Sequence, residues 1–171
     1  GVAIVACLPK TAWPPTLEAI DCQHRRVDEA LKAGGAAVGA KAVIETLPGM
    51  FPLACSPRLN DLFVENIREY FPETKIEDAG HFTASTDMGD ISHLMPSIHP
   101  FIGGVDGGLH TKDFCVTDFD AAAILPGKVF AMNIIDLLYD EAAMAKEILE
   151  KEKPILTKEE YLAKLESYFQ S

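Results

Sequence analysis

Along "LEAIDCQHRRVDEAL", Leu17, Ile20, His24, Val27 and Leu31 return at steps of three and four, the spacing that lays side chains along one face of an α-helix. Thr16 stands where an N-cap is needed and Gly34-Gly35 where a stop is expected. His24 shares the apolar face and reads as a buried or interface histidine. "KAVIETL" follows, short, rich in β-branched residues and closed by Pro48-Gly49, and reads as a strand. Residues 1–8, "GVAIVACL", are a candidate partner strand for it. A second helix opens at Ser56-Pro57, with Ser as cap and Pro in the first helical position. It carries Leu59, Leu62, Phe63, Ile67 and Tyr70 on one face before Pro72.

Beyond it, "KIEDAG" and "SIHPFIGG" read as strands flanking a short helix that begins near residues 85–87. A long helical stretch is expected from about Asp118 to Asp140, broken or kinked at Pro126-Gly127, because proline removes a helix hydrogen bond. The charged tail, 141–171, reads as helical. Thr157 and Glu160 form a capping box there, and Tyr161, Leu162, Leu165 and Phe169 make an apolar stripe able to dock.

The chain has 171 residues, 48% of them hydrophobic, enough for a real core, and a formal charge of −11. That charge argues against nucleic acid or an anionic membrane as partner, since both are held by clustered Lys and Arg. The apolar runs read as shorter than the roughly 20 residues of a spanning helix, so no membrane segment is expected. Cys7, Cys22, Cys55 and Cys115 form no CxxC pair and read as reduced thiols of a cytoplasmic protein. The opening "GVAIVACLPK" lacks an initiator Met, which suggests a piece of a longer protein.

Four of the five histidines, His81, His93, His99 and His110, lie within thirty residues. The default reading of each is a hydrogen-bonded structural or surface residue. His99 sits beside Pro100 at an expected strand end. In "GGVDGGLHTKDF", His110 follows a glycine-rich loop and precedes a helix start, the place where α/β folds put their chemistry. Asp87 could cap the short helix through its side chain, as could Ser85 or Thr86. Alternatively, the free N–H groups at that helix start could hold a carboxylate or a developing oxyanion. No GxSxG elbow, P-loop, HExxH or dinucleotide fingerprint occurs.

"ASTDMGDISHLMPSIHPFIGG" followed by "GLHTKDF" resembles the C-terminal part of the catalytic domain of the aminoacylase/carboxypeptidase metallohydrolases. The likeness is to their amidohydrolase branch, with aminobenzoyl-glutamate hydrolase and dipeptide-hydrolysing relatives. Upstream, "TLEAIDCQHRRVDEALKAGGAAVGAKAVIETLPGMFPL" resembles the last helix and strand of that family's lid, or dimerisation, domain. The resemblance spans about residues 16–139. It implies an α/β fold in which residues 1–50 are the end of an α+β lid and residues 51–171 close a zinc-exopeptidase-like catalytic domain, with a helical tail.

The family hydrolyses amide bonds of N-acyl amino acids, dipeptides and related conjugates with metal-activated water and a glutamate general base. Two divalent ions, zinc or else manganese or cobalt, serve each full site. By position, the resemblance makes His110 a metal ligand. It puts Ser85, Thr86, Asp87 and Gly89 in the loop and helix start near substrate, and His99 on the neighbouring strand in a substrate-orienting or supporting place. The other ligands and the base belong to the half preceding the lid, which this chain lacks, so the chain alone is expected to be inactive and possibly metal-free. The implied partners are a small amide or dipeptide and, through apolar surface left open, a second copy of the chain. The contrasting reading is a non-catalytic interaction module, with the helix at 17–31 and the strand at 41–47 as its interface.

Overall fold

The computed structural model describes residues 16–76 and 86–169. The candidate strand at 1–8, Cys7, the end of "KIEDAG", His81 and Ser85 lie outside the described residues. In chain order the elements are α1 (Leu17–Ala37), α2 (Pro57–Tyr70), α3 (Met88–Leu94), β1 (Val105–Asp106), β2 (Cys115–Val116), α4 (Leu125–Lys151) and α5 (Lys158–Phe169). They fall into two compact units: one of residues 16–54, 86–95 and 154–169, the other of 55–76 and 96–153.

In the first unit, the Ala19 N–H donates to Thr16 Oγ1 at 3.3 Å and starts α1. The helix runs through Gly34-Gly35 and stops three residues later than expected, where Gly39 takes φ +72°. A glycine inside a helix costs only about 1 kcal/mol and does not end it; a left-handed residue does. At the other end of the unit, Thr157 and Glu160 make the expected capping box. The Thr157 N–H donates to Glu160 Oε2 at 2.8 Å, and the Glu160 N–H donates to Thr157 Oγ1 at 3.2 Å. Asp21 of α1 then receives two groups of α5, the Lys164 ammonium and, at 2.9 Å, the Tyr168 hydroxyl.

The second unit is built on α2 and α4. Ser56 caps α2 by accepting from the Leu59 N–H at 3.1 Å. Phe63, Ile67 and the fully enclosed Val129 form the core, flanked by Phe71, Ile98, Ile102 and Leu125. Beside it, the Asn66 amide donates at 2.8 Å both to Asn133 Oδ1 and to Asp136 Oδ2, so the buried polar groups are paired.

Pro126-Gly127 does not break the long helix. A π-helical turn, Asp120–Ile124, leads in, and Pro126 occupies the first turn of α4, where a missing N–H costs little. The break comes at Tyr139–Ala142, whose backbone leaves helical φ/ψ. Contrary to the expectation of short apolar runs, Asp120–Lys151 is long and apolar enough, by length and composition alone, to cross a membrane.

The expected strands fare differently from the helices. Among the described residues, 41–47 and 97–104 belong to no ladder, and the described sheet is one antiparallel pair, Val105 opposite Val116 and Asp106 opposite Cys115. A strand is stable only with a partner's hydrogen bonds, and Pro100 has no N–H to offer one.

Candidate functional site

The start of α3 is where the first unit gathers its polar groups. Thr86, rather than Asp87, makes the cap: the Met88 N–H donates to Thr86 Oγ1 at 3.3 Å, and the Thr86 hydroxyl donates to Asp87 Oδ1 at 3.2 Å. Asp87 already has helical φ/ψ and no side-chain cap bond, because a cap needs an extended residue whose oxygen can turn back. Its carboxylate is left exposed. Gly89 is buried for a steric reason: a Cβ there would meet the Phe51 carbonyl oxygen at 1.9 Å.

Phe51 is fixed from several directions. Its N–H donates to Asp90 Oδ2 at 3.4 Å, and its ring packs edge-on against His93 and Tyr161 at 5.4 and 5.5 Å. Ser92 donates to Gly89 O at 2.7 Å and accepts from the Ala54 N–H at 3.0 Å. His93 is a structural residue, as its default reading has it. Its Nδ1 lies 2.8 Å from Gly89 O, and since a carbonyl only accepts, Nδ1 carries the proton.

An open cleft of about 590 Å³ lies against this cluster, lined among others by Pro48, Met50, Asp87, Asp90, Tyr161 and Leu165. The Tyr161 hydroxyl donates to Asp90 Oδ1 at 3.1 Å. Burial, and then the Asp90 carboxylate, raise the Tyr161 phenol above its ordinary value. Asp90, Phe51 and Tyr161 were not singled out as site residues. They are brought together over sequence separations of 39 (Phe51 to Asp90), 71 (Asp90 to Tyr161) and 110 (Phe51 to Tyr161), and only Tyr161, in the apolar stripe of the tail, carries a local signal.

His99 and His110 belong to the second unit. His99 is half-buried against the Phe101 ring at 5.7 Å, and its Nδ1 is buried with no hydrogen-bond partner. His110 sits exposed on the loop joining β1 to β2. Gly104 and Gly107 take φ +85° and +86°, and a Cβ at Gly107 would meet Asp113 O at 2.4 Å. The Thr111 N–H donates to Gly108 O at 3.1 Å and closes a turn with His110 at its third position and φ +60°. A left-handed non-glycine residue is strained, and such strain gathers at functional sites.

With this geometry in place, comparison with known proteins finds one informative likeness. The chain is 26% identical over 138 residues to the mouse (Mus musculus) protein named Xaa-Arg dipeptidase. Over three quarters of its length, it is similar to a peptidase. The match covers 76% of this chain and 32% of the relative, so the chain spans about a third of the protein it matches. No protein-family model matches it, and no solved structure does.

The metal implied by the family resemblance finds no complete site here. Among the described residues, no group of three or more His, Cys, Asp or Glu converges as ligands. A zinc site needs at least three protein ligands, so the described residues do not make one by themselves.

Proposed function

We propose that this chain is the C-terminal part of a metal-dependent amidohydrolase that cleaves the amide bond of dipeptides, including those that end in arginine. The observation that carries the reading is the likeness to Xaa-Arg dipeptidase. The geometry adds support, because the turn closed between Gly108 and Thr111 holds His110 exposed in a left-handed conformation, and backbone strain of that kind gathers at functional sites.

In this reading His110 is the chain's contribution to a metal centre, zinc or else manganese or cobalt, that residues outside the chain complete. Thr86, Asp87 and His99 orient substrate or support that centre, and Gly89 acts indirectly, by letting Phe51 pass against α3. Ser85 keeps the substrate-side place that the resemblance gives it. The α/β class, with residues 1–50 as lid and 51–171 as catalytic domain, belongs to the same proposal, as do a cytoplasmic setting and a soluble small-molecule substrate.

The test compares this chain with the longer gene product for bound metal and for release of arginine from an Xaa-Arg dipeptide. The reading expects about two metal ions and hydrolysis in the longer protein, with neither in this chain. A longer protein that binds no metal and leaves dipeptides intact overturns it.

A further inference from the structure

The last helix does not dock by the face its sequence offers. The apolar stripe expected to dock is Tyr161, Leu162, Leu165 and Phe169, yet Leu162 is 46% and Phe169 64% exposed. The half-buried positions of α5 are instead Tyr161, Lys164, Leu165 and Tyr168, at steps of three and four, and every other residue of the helix is exposed. Three of those four make polar bonds. Tyr161 reaches α3, donating to Asp90 Oδ1 at 3.1 Å. Further along, Lys164 and Tyr168 reach α1. The ammonium pairs with Asp21 Oδ2, the phenol donates to Asp21 Oδ1 at 2.9 Å, and the ammonium lies 5.2 Å from the centre of the Tyr168 ring.

No residue of α5 is buried. A helix without buried side chains draws little from the hydrophobic effect, and segments with few buried apolar contacts are those that open locally before the rest of a fold. The attachment of α5 therefore rests on charged and phenolic groups. Its two anchors belong to different parts of the chain: Asp21 lies in the residues read as the end of a lid, and Asp90 in those read as catalytic domain. Between the anchors, Tyr161 and Leu165 form one wall of the 590 Å³ cleft, facing Met50, Asp87 and Asp90 across it.

We infer that α5 is a strap: by tying α1 to α3 it holds the lid end and the catalytic part at one separation, and so sets the width of the cleft at the start of α3. The inference rests on the dipeptidase reading, in which that helix start lies on the substrate side. Tyr161, Lys164 and Tyr168 are then positioning residues, which act on substrate affinity and leave the bond-breaking step alone.

The longer protein carrying Lys164→Glu tests this with two readouts, steady-state kinetics on an Xaa-Arg dipeptide and hydrogen exchange of the α5 amides. The substitution sets like charges together at Asp21. Exchange over residues 158–169 is expected to quicken, and KM to rise roughly tenfold with kcat within about twofold of the wild type. Exchanging the charges, Asp21→Lys with Lys164→Glu, is expected to restore both readouts. Tyr168→Phe, which keeps the ring and removes one bond, is expected to raise KM about threefold. If α5 exchanges faster while KM keeps its wild-type value, the helix is packing alone and the inference is overturned. A loss that falls on kcat instead of KM overturns it as well, as does an exchange rate that Lys164→Glu leaves unchanged or a double variant no better than the single one. A wild-type longer protein that leaves the dipeptide intact is a separate result: it overturns the dipeptidase reading itself, and the role of the strap at the cleft with it.

Discussion

His110 owes its backbone conformation, φ +60°, to the neighbours that close the turn around it. Gly107 must pass against Asp113, and Gly108 accepts both the N–H and, at 2.8 Å, the hydroxyl of Thr111, which leaves the intervening residues a tight turn. Replacing His110 with Gly is expected to raise stability by about 1 kcal/mol, read by chemical denaturation, because glycine enters the left-handed region without strain. Ala at the same place gains nothing. Gly89 has the opposite sensitivity. An added methyl must displace the Phe51 backbone, and Gly89→Ala is expected to cost about 3 kcal/mol on the same measurement. The glycine-rich context of His110 was legible in the sequence, but its left-handed turn was not. The cap of α3 went to Thr86 and not Asp87, because sequence shows which side chains can cap, while the local φ/ψ decides which one does.

At the scale of elements, helices were legible to within a turn. Caps and apolar spacing are local signals, and Thr16, Ser56 and the Thr157–Glu160 box all act as read. The strands expected at 41–47 and 97–104 join no ladder among the described residues, because entry into a sheet depends on a partner that local sequence does not supply.

The docking of α5 has a defined pH response at each end. Hydrogen bonds from Thr157 lower the Glu160 carboxyl below its ordinary value. Its capping contribution is therefore full above the free glutamate value of about 4.3 and is lost as pH falls through the lowered one. The Tyr161 phenol is raised, so the bond it donates to Asp90 is intact below about pH 10 and is lost as pH rises through the raised value. Following the Thr157 amide and Tyr161 ring resonances by NMR should show α5 loosening at its first turn in acid and at Asp90 in alkali. Tyr161→Phe removes that bond at all pH and is expected to cost about 1 kcal/mol of stability.

For the whole molecule, two units interleave along the sequence, and each is held by contacts that no window of sequence reveals. In the second, Val129→Ala should cost about 2 kcal/mol through the cavity it leaves beside Phe63 and Ile67. The family resemblance reached further than periodicity could, since it pointed to peptide chemistry that the likeness to a dipeptidase supports in its coarse form. A metal centre could not be read from this chain's geometry for a physical reason: its described residues bring no three ligands together. The central claim is that the exposed His110 serves peptide hydrolysis, and kcat/KM of the longer protein for an Xaa-Arg dipeptide, with and without His110→Ala, tests it most directly. The account predicts a fall of about a hundredfold or more in a variant that remains folded. A variant within a few-fold of the wild type would contradict it and leave the loop with a structural role alone.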